Sequence, residues 1–107
     1  MLEISNPSTG DKIEVAEVDL GDTMSFDEAV NACKKLGDSW RLPNNEEILL
    51  IYNELHLNNK GNFDTGIYYW TATEKDDSNA YLFDFSTGEL DYSQKYVRDL
   101  VRPVRTR

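Results

Sequence analysis

Two stretches in the first half of the chain carry apolar residues at the spacing of an amphipathic helix. The first begins at Ser25, which can form a capping box with Glu28, and Gly37 marks its expected left-handed stop. The second begins at Asn44, a good N-cap, and carries two carboxylates in its first turn, where the helix dipole favours them. The predicted buried faces are Phe26, Ala29, Val30, Cys33 and Leu36 in the first helix and Ile48, Ile51, Tyr52 and Leu55 in the second.

A corner of sequence Trp-Arg-Leu-Pro, residues 40–43, joins the two predicted helices. Its tryptophan and its leucine predict a wedge that fills the space between the helices and a sheet. Leu49 and Leu50 broaden the apolar face of the second helix. A helix that is apolar over so wide an arc is predicted to lie between the sheet and the first helix.

The remaining sequence has the alternation and the turn residues of β structure. Residues 1–11 carry turn signals, after which Ile13 and Val15 alternate with charged residues and predict a half-exposed strand at a sheet edge. Residues 58–66 predict a loop of Asx and glycine turns. Residues 67–73 are dense in β-forming residues and predict a central strand.

Two further strands complete the predicted order of elements. A strand at residues 80–85 has three aromatic residues on one face, and the turn at residues 86–89 leads into a return strand. Residues 97–104 predict a closing strand, with Pro103 at an edge or a bulge. The order strand, helix, helix and then mostly antiparallel strands predicts a single α+β domain over residues 1–107.

The charge balance limits the kinds of partner. The chain has 20 acidic residues against 11 Lys and Arg, a net charge of −9 and an isoelectric point near 4.4. Phosphate backbones and anionic membranes require an excess of basic residues, so no direct nucleic-acid partner and no membrane partner are predicted. Basic surfaces, cations and neutral ligands remain compatible with this charge.

The single cysteine, Cys33, excludes an intrachain disulfide and fits a reducing compartment. Its place on the apolar face of the first helix predicts a buried, unreactive thiol. Residues 1–10 are polar and lack the apolar core of a signal peptide, and no stretch approaches the roughly 20 apolar residues of a membrane span. The sequence therefore predicts a cytoplasmic or virion-associated protein.

Catalytic chemistry has little support in the sequence. His56 is the only histidine, and it stands at the end of the second helix, where a lone histidine is usually a surface residue or a C-terminal cation. No second histidine, glycine-rich phosphate loop or metal-ligand spacing accompanies it. The prediction is a protein that is not an enzyme and that holds no cofactor.

Four motifs follow one another along the chain: Trp40-Arg41-Leu42-Pro43 with the Asn-Glu-Glu-Ile that follows, Tyr69-Trp70-Thr71-Ala72-Thr73-Glu74, residues 80–88, and Val101-Arg102-Pro103-Val104-Arg105. In this order they resemble the motifs of the DUF1566 family, which includes the C-terminal domain of the Legionella collagen-like adhesin and the Fibrobacter major paralogous domain. The resemblance covers about residues 13–105, and the first helix before Gly37-Asp38 also matches the family pattern.

The resemblance implies a fold similar to C-type lectins and formylglycine-generating enzymes. In that fold two helices pack on mostly antiparallel sheet, the N- and C-terminal strands pair, and a second small sheet carries a variable loop region. The calcium and sugar site of lectins does not carry over, because no Glu-Pro-Asn loop exists and Trp70 is followed by Thr71-Ala72. The cysteines of a formylglycine-generating site are also absent. The adhesin relative is implied to bind sulfated polysaccharide through basic residues, a ligand that suits a net charge of −9 poorly.

A non-catalytic recognition module is the function predicted from this fold and from the tyrosine and asparagine residues of its loops. Its partner is a protein or a glycan. Asp76, Asp77 and Asn79 form a candidate weak calcium site, although they lack the glycine and terminal glutamate of an EF-hand loop. The predicted ligand-binding residues are Asn62, Asp64, Tyr68, Glu74, Asp76, Asp77, Asn79, Tyr92 and Tyr96.

Two alternatives remain open at the level of sequence. One is a small acidic decoy of phage origin that blocks a basic nucleic-acid-binding site on another protein. It requires carboxylates concentrated on one face, whereas in the sequence they are scattered through helices and loops. The other alternative is a structural or oligomerisation domain.

Overall fold

The computed structural model describes residues 1–107 and consists of two helices and two three-stranded antiparallel sheets. The predicted α+β class is therefore confirmed. One sheet has the strand order β1-β2-β6 and the other the order β3-β4-β5. In chain order the elements are β1 (Leu2–Ser5), β2 (Lys12–Val15), α1 (Phe26–Lys35), α2 (Asn45–Glu54), a 3₁₀ turn (His56–Asn58), β3 (Tyr69–Glu74), β4 (Asn79–Asp84), β5 (Glu89–Gln94) and β6 (Val104–Thr106).

Both helices begin at the predicted caps. The Ser25 hydroxyl accepts the Glu28 amide while the Glu28 side chain accepts the Ser25 amide, and Asn44 forms the same capping box with Glu47. Helix α1 is followed by Gly37 at φ 74°, the predicted left-handed stop. Each helix has ten residues, and neither is long and apolar enough to cross a membrane.

The strand predicted at Ile13 and Val15 is β2, and it pairs with the C-terminal strand β6 as predicted, with Ile13 opposite Thr106 and Val15 opposite Val104. The turn predicted within residues 1–11 is present, but the sequence did not predict β1, which lies before that turn and places Ile4 opposite Ile13. Strand β2 is therefore the middle strand of its sheet and not an edge strand.

The strand β3, predicted to be central, lies instead at one edge of its sheet. Its outer side is bridged in parallel by Leu100, whose N–H donates to the Tyr68 carbonyl at 3.0 Å. The predicted closing strand is also shorter than expected. Asp99 and Leu100 make single bridges, residues 101–103 belong to no strand, and only β6 forms a regular ladder.

The core forms two clusters, and each helix serves a different one. Helix α2 packs with residues of both sheets, so it lies between the sheets and not, as predicted, between one sheet and α1. Helix α1 packs in the second cluster with Leu42, Trp70 and Val101. Leu42 thus acts as the predicted wedge, whereas Trp40 is only partly buried. Leu36, predicted to be buried, is 45% exposed.

Gly88 allows the β4–β5 turn to approach α2 closely. Its φ is +77°, and a Cβ built there would lie 2.7 Å from the Tyr52 ring. We expect Gly88→Ala to lower the free energy of unfolding by about 2 kcal/mol in urea titrations, because left-handed strain and overpacking add. Gly10→Ala is the matched control, since Gly10 has φ +79° and nothing within 4 Å of a Cβ. It should lose only about 1 kcal/mol, and equal losses would show that the Tyr52 contact is irrelevant.

Candidate functional site

Six of the nine predicted ligand-binding residues lie together at one end of the β3-β4-β5 sheet. Strand β3 ends at Glu74, the β3–β4 turn carries Asp76 and Asp77, and β4 begins at Asn79. Antiparallel pairing of Asn79 with Gln94 brings the far end of β5, and with it Tyr92 and Tyr96, to the same place. We call this set the hairpin-end surface: Glu74, Asp76, Asp77, Asn79, Tyr92 and Tyr96.

Local contacts fix the shape of the hairpin-end surface. The Lys95 ammonium forms an ion pair with Glu74, and the Lys75 ammonium lies 4.6 Å from the centre of the Tyr92 ring. Tyr92 also packs edge-on against Tyr81 at 6.1 Å. Tyr92 and Tyr96 remain 49% and 73% exposed, so their rings offer contact area to a partner.

The other three predicted residues lie elsewhere. Asp64 is engaged within its own loop, where its carboxylate accepts the Gly66 amide at 2.7 Å and its amide donates to the Tyr69 hydroxyl at 2.9 Å. Asn62 is in the same loop, exposed and left-handed at φ 55°. Tyr68 lies beside the β4–β5 turn. The structure does not bring these residues to the hairpin-end surface.

The candidate calcium ligands have mostly internal partners. One oxygen of Asp76 accepts the Ser78 and Asn79 amides, each at 2.9 Å, and its carboxylate also accepts the Asn79 side-chain amide. These bonds, led by the Ser78 amide, lower the pKa of Asp76 below its usual range. No group of three or more His, Cys, Asp or Glu side chains is arranged to hold a metal ion. Calcium binding therefore stays a prediction with no built site behind it.

A half-open groove of about 460 Å³ lies next to the hairpin-end surface, and sequence reasoning missed it. Its apolar lining is Phe26 and Val30 from α1, Trp40 and Leu42 from the corner, and Ala72 from β3. The sequence does contain a signal for the groove, since Phe26 and Val30 lie four residues apart and Trp40 stands in the corner. The apolar pattern, however, predicts all three as core residues. Only Phe26 and Leu42 are buried; Val30 and Trp40 are partly exposed and Ala72 is exposed.

The rim of the groove is charged and rigid. Arg41 donates to both carboxylate oxygens of Glu47 at 2.7 and 2.8 Å and to the Thr106 hydroxyl at 2.9 Å. The pKa of Arg41 is raised, chiefly by its hydrogen bond to the Glu47 carboxylate, so its charge is fixed. Arg105 stacks on the Trp40 ring at 4.7 Å and holds the indole in place. The remaining rim residues are Asp27, Lys34 and Glu74.

In a comparison with protein-family models, residues 7–105 match the Lcl C-terminal domain. The match covers nearly the whole chain. The chain belongs to the Lcl C-terminal domain family. This is an adhesin-associated family and not a known enzyme family. Membership of this family confirms the predicted relation to the C-terminal domain of an adhesin. A search of curated proteins finds no match to the chain.

In this Lcl C-terminal domain the single cysteine and the single histidine lie apart from the groove and the hairpin-end surface. Cys33 is buried, as predicted, and desolvation raises the pKa of its thiol to about 11. His56 packs between aromatic rings, stacked on Tyr52 at 5.6 Å and edge-on to Phe85 at 5.2 Å. Neither residue is among those that line the groove.

Proposed function

We propose that this Lcl C-terminal domain is a non-catalytic recognition module that binds a protein or carbohydrate partner through the hairpin-end surface and the adjoining groove. One observation carries the proposal. Glu74 belongs both to the hairpin-end surface and to the groove rim, so the two features form one continuous surface. The adhesin-associated family supports a binding role over a catalytic one.

The chemistry of this surface suits recognition. Tyrosine provides a large, rigid contact area at low cost in conformational entropy, and exposed tyrosines flank the β3–β4 turn. The groove combines an apolar floor with a few fixed charges, which is the usual composition of a ligand pocket. Its walls are held by Arg105 against Trp40 and by the Arg41–Glu47 pair, so little ordering would be needed on binding.

Two variants test the two halves of the surface. Asp77→Ala/Tyr96→Ala removes exposed hairpin-end side chains, and Trp40→Ala removes the groove wall. We expect each to weaken binding by at least about tenfold, the effect of losing an aromatic contact worth about 1.4 kcal/mol or more. The measurement is binding of the labelled domain to glycan arrays and to proteins captured from lysate, followed by titration of each hit.

Glu17→Ala/Leu57→Ala is the matched control, because it removes one exposed carboxylate and one exposed apolar side chain away from the surface. Circular dichroism should show that all three variants remain folded. Binding that is unchanged in both test variants, or reduced equally in the control, would contradict the proposal. Repeating the titrations with millimolar calcium tests the candidate calcium site. Binding that is the same with and without calcium would rule out a role for that site.

Salt dependence distinguishes the acidic decoy from this function. Binding through aromatic rings and an apolar groove should persist in about 0.5 M salt. At that salt concentration the attraction between net charges is screened beyond a few ångströms, so binding by the acidic decoy should be lost. Ion pairs within the domain engage the carboxylates of Glu14, Asp19, Glu28, Glu47 and Glu74, so these five are not free to meet a basic surface.

A further inference from the structure

Strand β5 leaves one long edge of the second sheet open. It pairs only with β4, and most of its residues are exposed. The Lys95 amide donates to the Ser78 carbonyl at 2.9 Å, so the backbone groups of Lys95 point toward β4. In an antiparallel pair the backbone groups of successive residues point alternately toward and away from the neighbouring strand. The backbone groups that point away from β4 are those of Leu90, Tyr92 and Gln94.

This open edge has one acidic face. Glu89 and Asp91 project from the face that also carries Leu82 and Asp84 of β4, as the pairing of Asp91 with Leu82 and of Glu89 with Asp84 requires. No Lys or Arg occurs within β5. The opposite face carries Leu90, which packs on the first core cluster.

A crevice of about 160 Å³ lies beside the acidic face. It is lined by Tyr68, Asp84, Glu89 and Asp91, together with Thr87 and Leu90, and no basic side chain enters it. The three carboxylates do not converge into a metal site. A carboxylate-lined crevice next to an aromatic ring suits an ammonium or guanidinium group on a long side chain.

We propose that β5 receives an extended basic segment of a protein partner as a fourth strand of this sheet. Main-chain hydrogen bonds to Leu90, Tyr92 and Gln94 would give affinity, and alternate side chains would give specificity. Lys or Arg on one face would meet Glu89 and Asp91, while apolar residues on the other would extend the surface at Leu90. The proposal shares Tyr92 with the hairpin-end surface and goes beyond that surface, since it concerns the backbone edge of β5 and the crevice.

A second copy of this chain matches the acidic face less well than a basic segment does, because β5 contains no Lys or Arg. Antiparallel pairing of two β5 strands centred on Leu90 or on Asp91 would set Asp91 of one copy against Glu89 or Asp91 of the other. Like charges directly opposite in a sheet destabilise the pair. In the free protein Asp91 covers part of the edge, because its carboxylate accepts the Tyr92 amide at 2.8 Å. A basic side chain that pairs with Asp91 would release this amide for the incoming strand.

The test is a titration of the ¹⁵N-labelled domain with a capped peptide that alternates Lys and Val over eight residues. The expected result is a change in the amide chemical shifts of Leu90, Tyr92 and Gln94, together with slower hydrogen exchange of these amides. A peptide of the same composition with all lysines grouped is the control, and it should bind at least about tenfold more weakly because it cannot present one basic face. Equal binding of the two peptides, or shifts spread over all acidic regions, would overturn the proposal.

Variants of the edge complete the experiment. Tyr92→Pro removes an outward amide without removing a bond to β4, so it should abolish peptide binding while Tyr92→Phe retains it. If Tyr92→Pro does not fold, Glu89→Lys/Asp91→Lys serves instead. This variant should no longer bind the peptide that alternates Lys and Val, and it should bind a peptide that alternates Glu and Val. The hairpin-end variant Asp77→Ala/Tyr96→Ala should bind the Lys peptide normally. Failure of the strand proposal is thereby separate from failure of the proposed function.

Discussion

Arg102→Leu is expected to lower the free energy of unfolding by about 3–5 kcal/mol, the usual cost of breaking a buried ion pair from one side. Arg102 is 3% exposed. Its Nε donates to Asp19 at 2.8 Å, its Nη1 donates to the Gly61 carbonyl at 2.7 Å, and its guanidinium lies 4.2 Å from the centre of the Phe63 ring. The substitution leaves a partly buried carboxylate and a loop carbonyl without their partner.

The same substitution should loosen the loop of residues 59–66. The Tyr69 hydroxyl donates to Asp19 at 2.9 Å and accepts the Asp64 amide, so the network continues from Arg102 into that loop. Urea titration measures the stability loss, and hydrogen exchange of the Asp64 amide measures the loosening.

Arg98→Leu is the control, because it also breaks an arginine–carboxylate pair but one whose side chains, on Arg98 and Glu28, are 58% and 55% exposed. Exposed pairs contribute about 0–1 kcal/mol. If both variants lost the same small amount, the buried network would not be what holds the loop to the sheet.

Asp99→Asn is expected to stabilise the domain at pH 7 by about 2–3 kcal/mol, following the free-energy equivalent of its pKa shift. Asp99 is 8% exposed, and burial raises the pKa of its carboxyl to about 6. At pH 7 the native protein therefore keeps an ionised carboxylate in a poorly solvated place. Asparagine has nearly the same shape and needs no ionisation.

The stabilisation by Asp99→Asn should depend on pH. Because the folded-state pKa lies above the unfolded value, the native state binds the extra proton between about pH 4 and pH 6. The contribution of Asp99 to stability is thus fully present below pH 4 and is lost as the pH rises through 6. The difference between Asp99→Asn and the parent should be near zero at pH 4 and reach its full value by pH 7.

Urea titrations of both proteins at several pH values measure that difference. Taking the difference removes the opposite contribution of Glu28, Asp76 and Asp84, whose pKa values are lowered by hydrogen bonds and which favour folding at higher pH. A variant that is less stable than the parent at pH 7, or a difference that does not change with pH, would contradict the prediction.

The candidate site was predictable where its residues are close in sequence. Glu74, Asp76, Asp77 and Asn79 surround one short turn, so the turn itself places them together. The groove was not predictable, because Phe26, Trp40 and Ala72 come from a helix, a corner and a strand that meet only in the folded chain. Asp64 lies away from this turn, and its carboxylate accepts the Gly66 amide while its own amide donates to Tyr69.

The sequence by itself determined the two helices, their caps, the β4–β5 hairpin and the α+β class, because capping boxes, helical periodicity and turn residues act over a few residues. Tertiary structure alone decided that β2 is a middle strand, that β3 is an edge strand and that α2 lies between the sheets. It also decided the burial of Arg102 and of Asp99. These outcomes depend on contacts between segments far apart in the chain, and no local pattern specifies which segments meet.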